Sequence, residues 1–155
     1  MSVSSSPRVV GYVRSATVNQ DRGGIEHQKA FLGKPSFGRI GLDPLPPATR
    51  FYKDEGVSGY GPWEERPGLR DLIRDAGRGK FDVVRVAAVT RLSRSRVDQA
   101  DIIAALEELG VRVHADDLDR ESPFGGPLFG MLVEAARLER QFLEERIARV
   151  QQREA

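Results

Sequence analysis

Phe81-Asp82-Val83-Val84-Arg85-Val86-Ala87-Ala88-Val89 runs directly into Thr90-Arg91-Leu92-Ser93-Arg94-Ser95-Arg96. The first nine residues are apolar and valine-rich, the pattern of a strand buried on both faces of a sheet. Arginines gather around its end: four lie between Arg85 and Arg96, with no acid among them. In an open α/β sheet, ligands bind beyond the carboxyl ends of the strands. Arginine placed there suits phosphate, because the guanidinium stays charged and offers a rigid fork of donors. Taken alone, an Arg-x-x-Arg pair is better read as solvated charge opening a helix, so the surrounding chain has to decide.

Outward from that stretch, strands and helices alternate. Arg8-Val9-Val10-Gly11-Tyr12-Val13-Arg14 is short and β-branched, a first strand, and it leads into a polar, glycine-ended loop from Ser15 to Gly24. Ile25 to Leu32 suits a short helix closed by Gly33 and Pro35. Gly33 to Thr49 is rich in proline and glycine and reads as an irregular excursion. Arg50 to Asp54 is a second strand, Glu55 to Pro62 a loop able to fold over a ligand, and Arg66-Pro67-Gly68-Leu69 the start of a helix ending at Gly77. After the arginine stretch, Val97 to Leu109 places Ile102, Ile103, Leu106 and Leu109 on one helical face, with Gly110 as the stop. Val111 to Ala115 is a fourth strand, and His114 reads as a strand-end residue. From Leu128 onward, Met131, Leu132, Ala135, Leu138, Phe142 and Ile147 recur at helical spacing to the chain's end. A helix of about 28 residues exceeds roughly 40 Å. Its far end should project from a small domain, and a projecting apolar seam asks for a partner helix. The expected fold is α/β: a doubly wound, mostly parallel sheet of four to five strands with helices on both faces, followed by a long C-terminal helix.

Composition narrows the function classes. At 155 residues the chain fits one domain with a sizeable core. Its 24 basic and 23 acidic residues nearly cancel, so only local clustering can attract nucleic acid. With no cysteine and only His27 and His114, neither a disulfide framework nor a thiolate or histidine metal site is expected. No apolar run reaches membrane-spanning length, and the start of the chain lacks the apolar core of a signal peptide, so an intracellular protein is expected. P-loop, GxGxxG and nucleophile-elbow motifs are missing from the sequence.

The ordered set of motifs resembles one family. Tyr12-Val13-Arg14, Gln20, Glu26-His27-Gln28, Asp54-Glu55-Gly56-Val57-Ser58-Gly59, Arg66-Pro67-Gly68-Leu69, Phe81-Asp82-Val83-Val84, Thr90 to Ser95, and Leu138-Glu139-Arg140 with Glu145-Arg146 follow the order found in catalytic domains of serine recombinases, the resolvase/invertase group. The resemblance covers about Val9 to Arg146. It implies a domain over residues 1–125, continuous with a long helix over 126–155 that serves dimerisation and DNA contact. In such domains a serine after the first strand attacks a DNA phosphodiester and forms a 5′-phosphoserine link without metal or other cofactor. The resemblance assigns phosphate binding to Arg14, Arg66, Arg91 and Arg94, and supporting roles to Gln20, Ser58, Glu139 and Arg140. It implies DNA as partner, a homodimer or higher oligomer through the C-terminal helix, and possible pairing with another recombinase.

Three departures bear on activity. The family pattern places the nucleophilic serine two residues after the arginine, where this chain has Ala16. Ser15 is the displaced candidate, although along a continuing strand it points to the face opposite Arg14; Thr17 matches a common family threonine. Thr90 stands where the family has aspartate, and the proline-rich path from Gly33 to Thr49 replaces a longer helix. The chain ends at Ala155 without a helix-turn-helix or zinc ribbon, so no separate DNA-binding domain is expected, and DNA binding by the domain alone should be weak, non-specific and salt-dependent. Three readings stay open: a degenerate relative that binds DNA or regulates an active recombinase, an active recombinase using Ser15, and an α/β sheet serving an unrelated small ligand.

Overall fold

The computed structural model describes residues 6–16, 24–36, 45–59, 62–115 and 127–154. Strands β1 (Val9–Ser15), β2 (Phe51–Glu55), β3 (Val83–Val86) and β4 (Arg112–Ala115) form one sheet in the order β2-β1-β3-β4, with every pair parallel. Helices α1 (Ile25–Leu32), α2 (Pro67–Gly77) and α3 (Arg96–Glu108) join them, and α4 (Pro127–Glu154) follows. The doubly wound parallel sheet and long last helix are as expected from the sequence. All seven residues of β1 are buried, as a central strand covered on both faces requires.

Alternation along β1 sorts the two layers. Val9 and Val13 pack with Ile25 and Leu32 of α1 and with Leu45 and Ala48 of the connection to β2. Val10 and Tyr12 face the larger core, with Leu69 and Leu72 of α2, Ile102 and Leu106 of α3, and Val133 of α4. The strand order reverses direction between β1 and β3, and that is the place where such sheets leave a crevice at their carboxyl ends.

The run expected to be one strand from Phe81 to Val89 divides. β3 ends at Val86, and Val89–Arg91 forms a 3₁₀ turn in which the Arg91 and Leu92 amides donate to Ala88 and Val89 carbonyls. Apolar content alone does not separate a strand from a buried turn. The shorter β3 leaves β1 unaccompanied on that side beyond Gly11, while β2 follows β1 through Ser15. The crevice this opens receives the Arg14 side chain.

Arg85 turns the other way. It is buried on the α1 face, where its Nη1 donates to the carbonyls of Leu32, Lys34 and Pro46 at 3.0, 2.6 and 3.3 Å. One cation thus satisfies the carboxyl end of α1 and joins it to Pro46 ahead of β2. At the end of α3, Gly110 adopts φ +83°, and the Gly110 and Val111 amides donate to Glu107 and Leu106, a Schellman closure at the glycine the sequence singles out.

α4 lies against α3 through Val133, Leu132 and Ala136 and through ion pairs of Arg137 with Glu107 (2.6 Å) and of Arg140 with Asp101 (3.2 Å) and Glu108 (3.3 Å). Past Arg140 every residue to Gln152 is exposed. Among the described residues, no helix is long and apolar enough to cross a membrane.

Candidate functional site

The crevice beyond β1 and β3 is framed by arginines. Arg14 leaves the end of β1 on the α2/α3 side and is buried, as is Arg66, which immediately precedes α2. Arg91 closes the 3₁₀ turn half-buried, and Arg94 is exposed in the turn before α3. The sheet order and the turns bring all four to one end of the molecule.

Their donors first organise the backbone. Arg14 donates from Nε to Arg91 O (3.1 Å), from Nη1 to Val57 O (3.0 Å) and from Nη2 to Thr90 O (2.8 Å). Arg66 Nη1 donates to the next carbonyl, that of Leu92. Three consecutive carbonyls of the β3–α3 turn are therefore held by two buried guanidinium groups. Arg91 answers by donating from Nη1 to Arg14 O at 3.2 Å. Ser93 Oγ and the Arg94 amide both donate to Gly59 O, at 3.0 and 2.9 Å, and stitch the β2–α2 loop to the same turn. A Cβ on Gly59 would stand 2.6 Å from Arg94 Cγ and 2.8 Å from Arg14 Nη2, so only glycine lets that loop lie across both arginines. Gln99 Nε2 donates to Ser93 O (2.7 Å), and Ser95 caps α3 by accepting from the Asp98 amide.

The arginine charges act on one another. Burial lowers the Arg14 pKa from its ordinary value; Tyr12 opposes this, while Arg66, Arg91 and Arg94 push the same way as burial. Burial likewise lowers Arg91, assisted by Arg94. Positive groups that depress one another's proton affinity form a field that an anion relieves.

The motif around Asp54 has a mechanical explanation. Its carboxylate accepts from Tyr12 Oη (2.6 Å) and from the amides of Gly68 (2.7 Å) and Leu69 (3.0 Å). Arg66 at the N-cap supplies no side-chain acceptor, so an aspartate on β2 caps α2 instead. Close approach is needed, since a Cβ on Gly68 would lie 2.2 Å from Lys53 O. Burial and then Asp54 raise the Tyr12 pKa far above its ordinary value, so the phenol remains a donor.

The hydroxyl positions separate sharply. β1 stays regular through Ser15, which pairs with Glu55, accepts on its carbonyl from the Val57 amide (2.9 Å) and is 1% exposed. Consecutive strand residues face opposite sides, which puts the Ser15 side chain on the α1 layer and that of Arg14 on the α2/α3 layer. Ala16 follows at an exposed bend. Thr90 is half-buried in the turn, Ser58 is exposed on the loop beside Gly59, and Gln20 and Thr17 lie outside the described residues.

Glu139 and Arg140 are not in the arginine crevice. They line a separate cleft of about 530 Å³ between α4 and the 3₁₀ turn Trp63–Glu65, together with Glu64, Asp101, Phe142 and Leu143. Sequence reasoning passed over Trp63 and Asp101: the Trp63 indole donates to Asp101 Oδ2 (3.1 Å), and Arg140 Nη1 donates to Asp101 Oδ1 (3.2 Å). A lone tryptophan in a polar loop was the available signal.

With this geometry in view, the sequence matches the family described as "Resolvase, N terminal domain" over residues 9–155. The chain belongs to that family. Its fold is that of serine recombinase catalytic domains. The chain is 26% identical to the N-terminal catalytic domain of TP901-1 integrase, with 86% of this chain and 97% of that one covered and a TM-score of 0.62. A resolvase family site-specific recombinase from Streptococcus pneumoniae shares the fold at 21% identity, covering 95% of this chain and 98% of that one, with a TM-score of 0.54. So does the C-terminal catalytic domain of ISC1926 TnpA, an IS607-like serine recombinase, at 20% identity over 91% of this chain and 99% of that one (TM-score 0.54). No curated protein sequence matches the chain.

Proposed function

We propose that this serine recombinase domain grips DNA backbone phosphate at the Arg14/Arg66/Arg91/Arg94 crevice but, as its sequence stands, does not form the covalent phosphoserine link. The observation that carries this is the end of β1. The residue two positions after Arg14 is Ala16, exposed at the bend, while Ser15 is buried on the opposite face.

The chemistry explains why the cluster and the hydroxyl have separate fates. Attack on a phosphodiester builds negative charge on a pentacovalent phosphorus, and fixed cations aimed there stabilise it. Arg94 is exposed and Arg91 half-buried, and Arg14 and Arg66 hold the turn that carries them. A methyl group at position 16 offers no oxygen to attack phosphorus. Thr90 further removes the carboxylate that would orient an arginine or handle a proton. Such a domain serves as a DNA-binding partner, assembling with itself or with an active recombinase through α4, whose exposed Leu143, Ile147 and Val150 share one helical face.

Incubation with suicide DNA substrates tests the reading. The native chain should give no covalent protein–DNA band, and Ala16→Ser should restore one. A band from the native chain that disappears in Ser15→Ala would show that Ser15 is a working nucleophile and overturn the inactive reading. Duplex binding should fall steeply with salt, and Arg94→Gln should lower the slope of log K against log salt by about one. An unchanged slope would remove Arg94 from the phosphate contacts.

A further inference from the structure

Asp101 stands between α4 and the 3₁₀ turn that begins at Trp63. Its carboxylate accepts from the Trp63 indole on one oxygen and from Arg140 of α4 on the other. Trp63 opens the 3₁₀ turn that delivers Arg66: the Arg66 amide donates to Trp63 O at 3.1 Å. Arg66 in turn holds the Leu92 carbonyl in the turn that carries Arg91 and Arg94. One continuous path of hydrogen bonds therefore runs from α4 through Asp101 and Trp63 to the phosphate crevice.

We infer that Asp101 is a positioning residue, through which the seat of α4 on α3 sets the placement of Arg66 and the 90–94 turn. The inference rests on the phosphate-binding reading above. Asp101 belongs to α3, a rigid element packed in the core, so it is a fixed point against which both α4 and the Trp63 turn are registered. Arg140 is also paired with Glu108, so α4 grips α3 at two carboxylates, and only one of them is shared with the crevice. Glu64, adjacent to Trp63, lines the same cleft as Asp101, Arg140 and Phe142. An α4 that shifts or engages another helix there changes the partner of Asp101 and hence the hold on Trp63.

Trp63 is the only tryptophan, so its fluorescence reports the path directly. Arg140→Gln, which leaves Trp63 itself untouched, should shift Trp63 emission to the red and weaken binding of a short DNA duplex by about fivefold at fixed salt. The salt slope should stay unchanged, because Arg140 acts through Asp101 and not on a phosphate. Asp101→Asn keeps the shape and should do the same. Combining it with Arg140→Gln should add nothing, whereas Arg140→Gln and Arg94→Gln should add fully. Additive losses for the Asp101 and Arg140 changes, or Trp63 emission indifferent to Arg140→Gln, would overturn the inference. A salt slope reduced by about one in Arg140→Gln would overturn it in favour of direct DNA contact. If the native chain shows no salt-dependent duplex binding, the phosphate reading fails, and the emission arm alone still decides whether α4 and the Trp63 turn are linked.

Discussion

At the scale of single residues, the site depends on buried polar groups that satisfy one another. Asp54 receives three donors from two elements, and removing it leaves Tyr12 Oη and two amides of α2 buried without an acceptor. Asp54→Ala should therefore cost about 2–3 kcal/mol in urea unfolding, well above an ordinary surface change. Tyr12→Phe removes one donor and should cost about 1 kcal/mol. Equal losses for the two variants would show that the aspartate does not cap α2. Arg14 uses all three guanidinium nitrogens on backbone carbonyls, a fork lysine does not possess.

Between elements, β2 and α2 are joined a second time by Tyr52 Oη donating to Asp75 Oδ2 at 2.6 Å. Tyr52 is pushed up to about 12, by burial first and then by the hydrogen bond to Asp75. The hydrogen bond from Tyr52 holds the Asp75 carboxyl below its ordinary value; burial opposes this, and Lys80 and Arg74 add to the lowering. The signs follow. A lowered carboxyl contributes stability above its unfolded pKa of ~3.9 that is lost as pH falls through the folded value. A raised phenol contributes stability below its unfolded pKa of ~10 that is lost as pH rises towards 12. Urea melts across pH should show both shoulders in the native chain and neither at full size in Tyr52→Phe, which should lose about 1 kcal/mol at neutral pH. An alkaline shoulder undiminished in Tyr52→Phe would assign it to another group.

For the whole molecule, the outer part of α4 is the exposed feature that most needs a partner. Phe142 and Leu143 are 60% and 56% exposed beside the cleft shared with Asp101. Sedimentation should show a concentration-dependent dimer that Leu143→Glu abolishes while helical content by circular dichroism is kept. A monomer at high concentration would count against assembly through this helix. A partner on these side chains would account for a helix that continues past Arg140 with every residue to Gln152 exposed, since isolated helix propensity is weak support for about four further turns.

The sequence by itself determined the alternation of strands and helices, the glycine stop after α3, the long apolar stripe of α4 and the ordered arginines, because each is written in local periodicity or in turn chemistry. It also determined that position 16 carries no hydroxyl. Tertiary structure alone decided where the Phe81–Val89 run stops being strand, because a valine and alanine run satisfies a strand and a buried turn alike. It decided that Arg85 serves the end of α1, while Arg14 and Arg66 hold the 90–92 carbonyls, since the face an arginine takes depends on strand register. And it placed Glu139 and Arg140 away from the crevice, with Arg140 joined to Trp63 through Asp101, because contacts between residues tens of positions apart are set by how α3 and α4 pack.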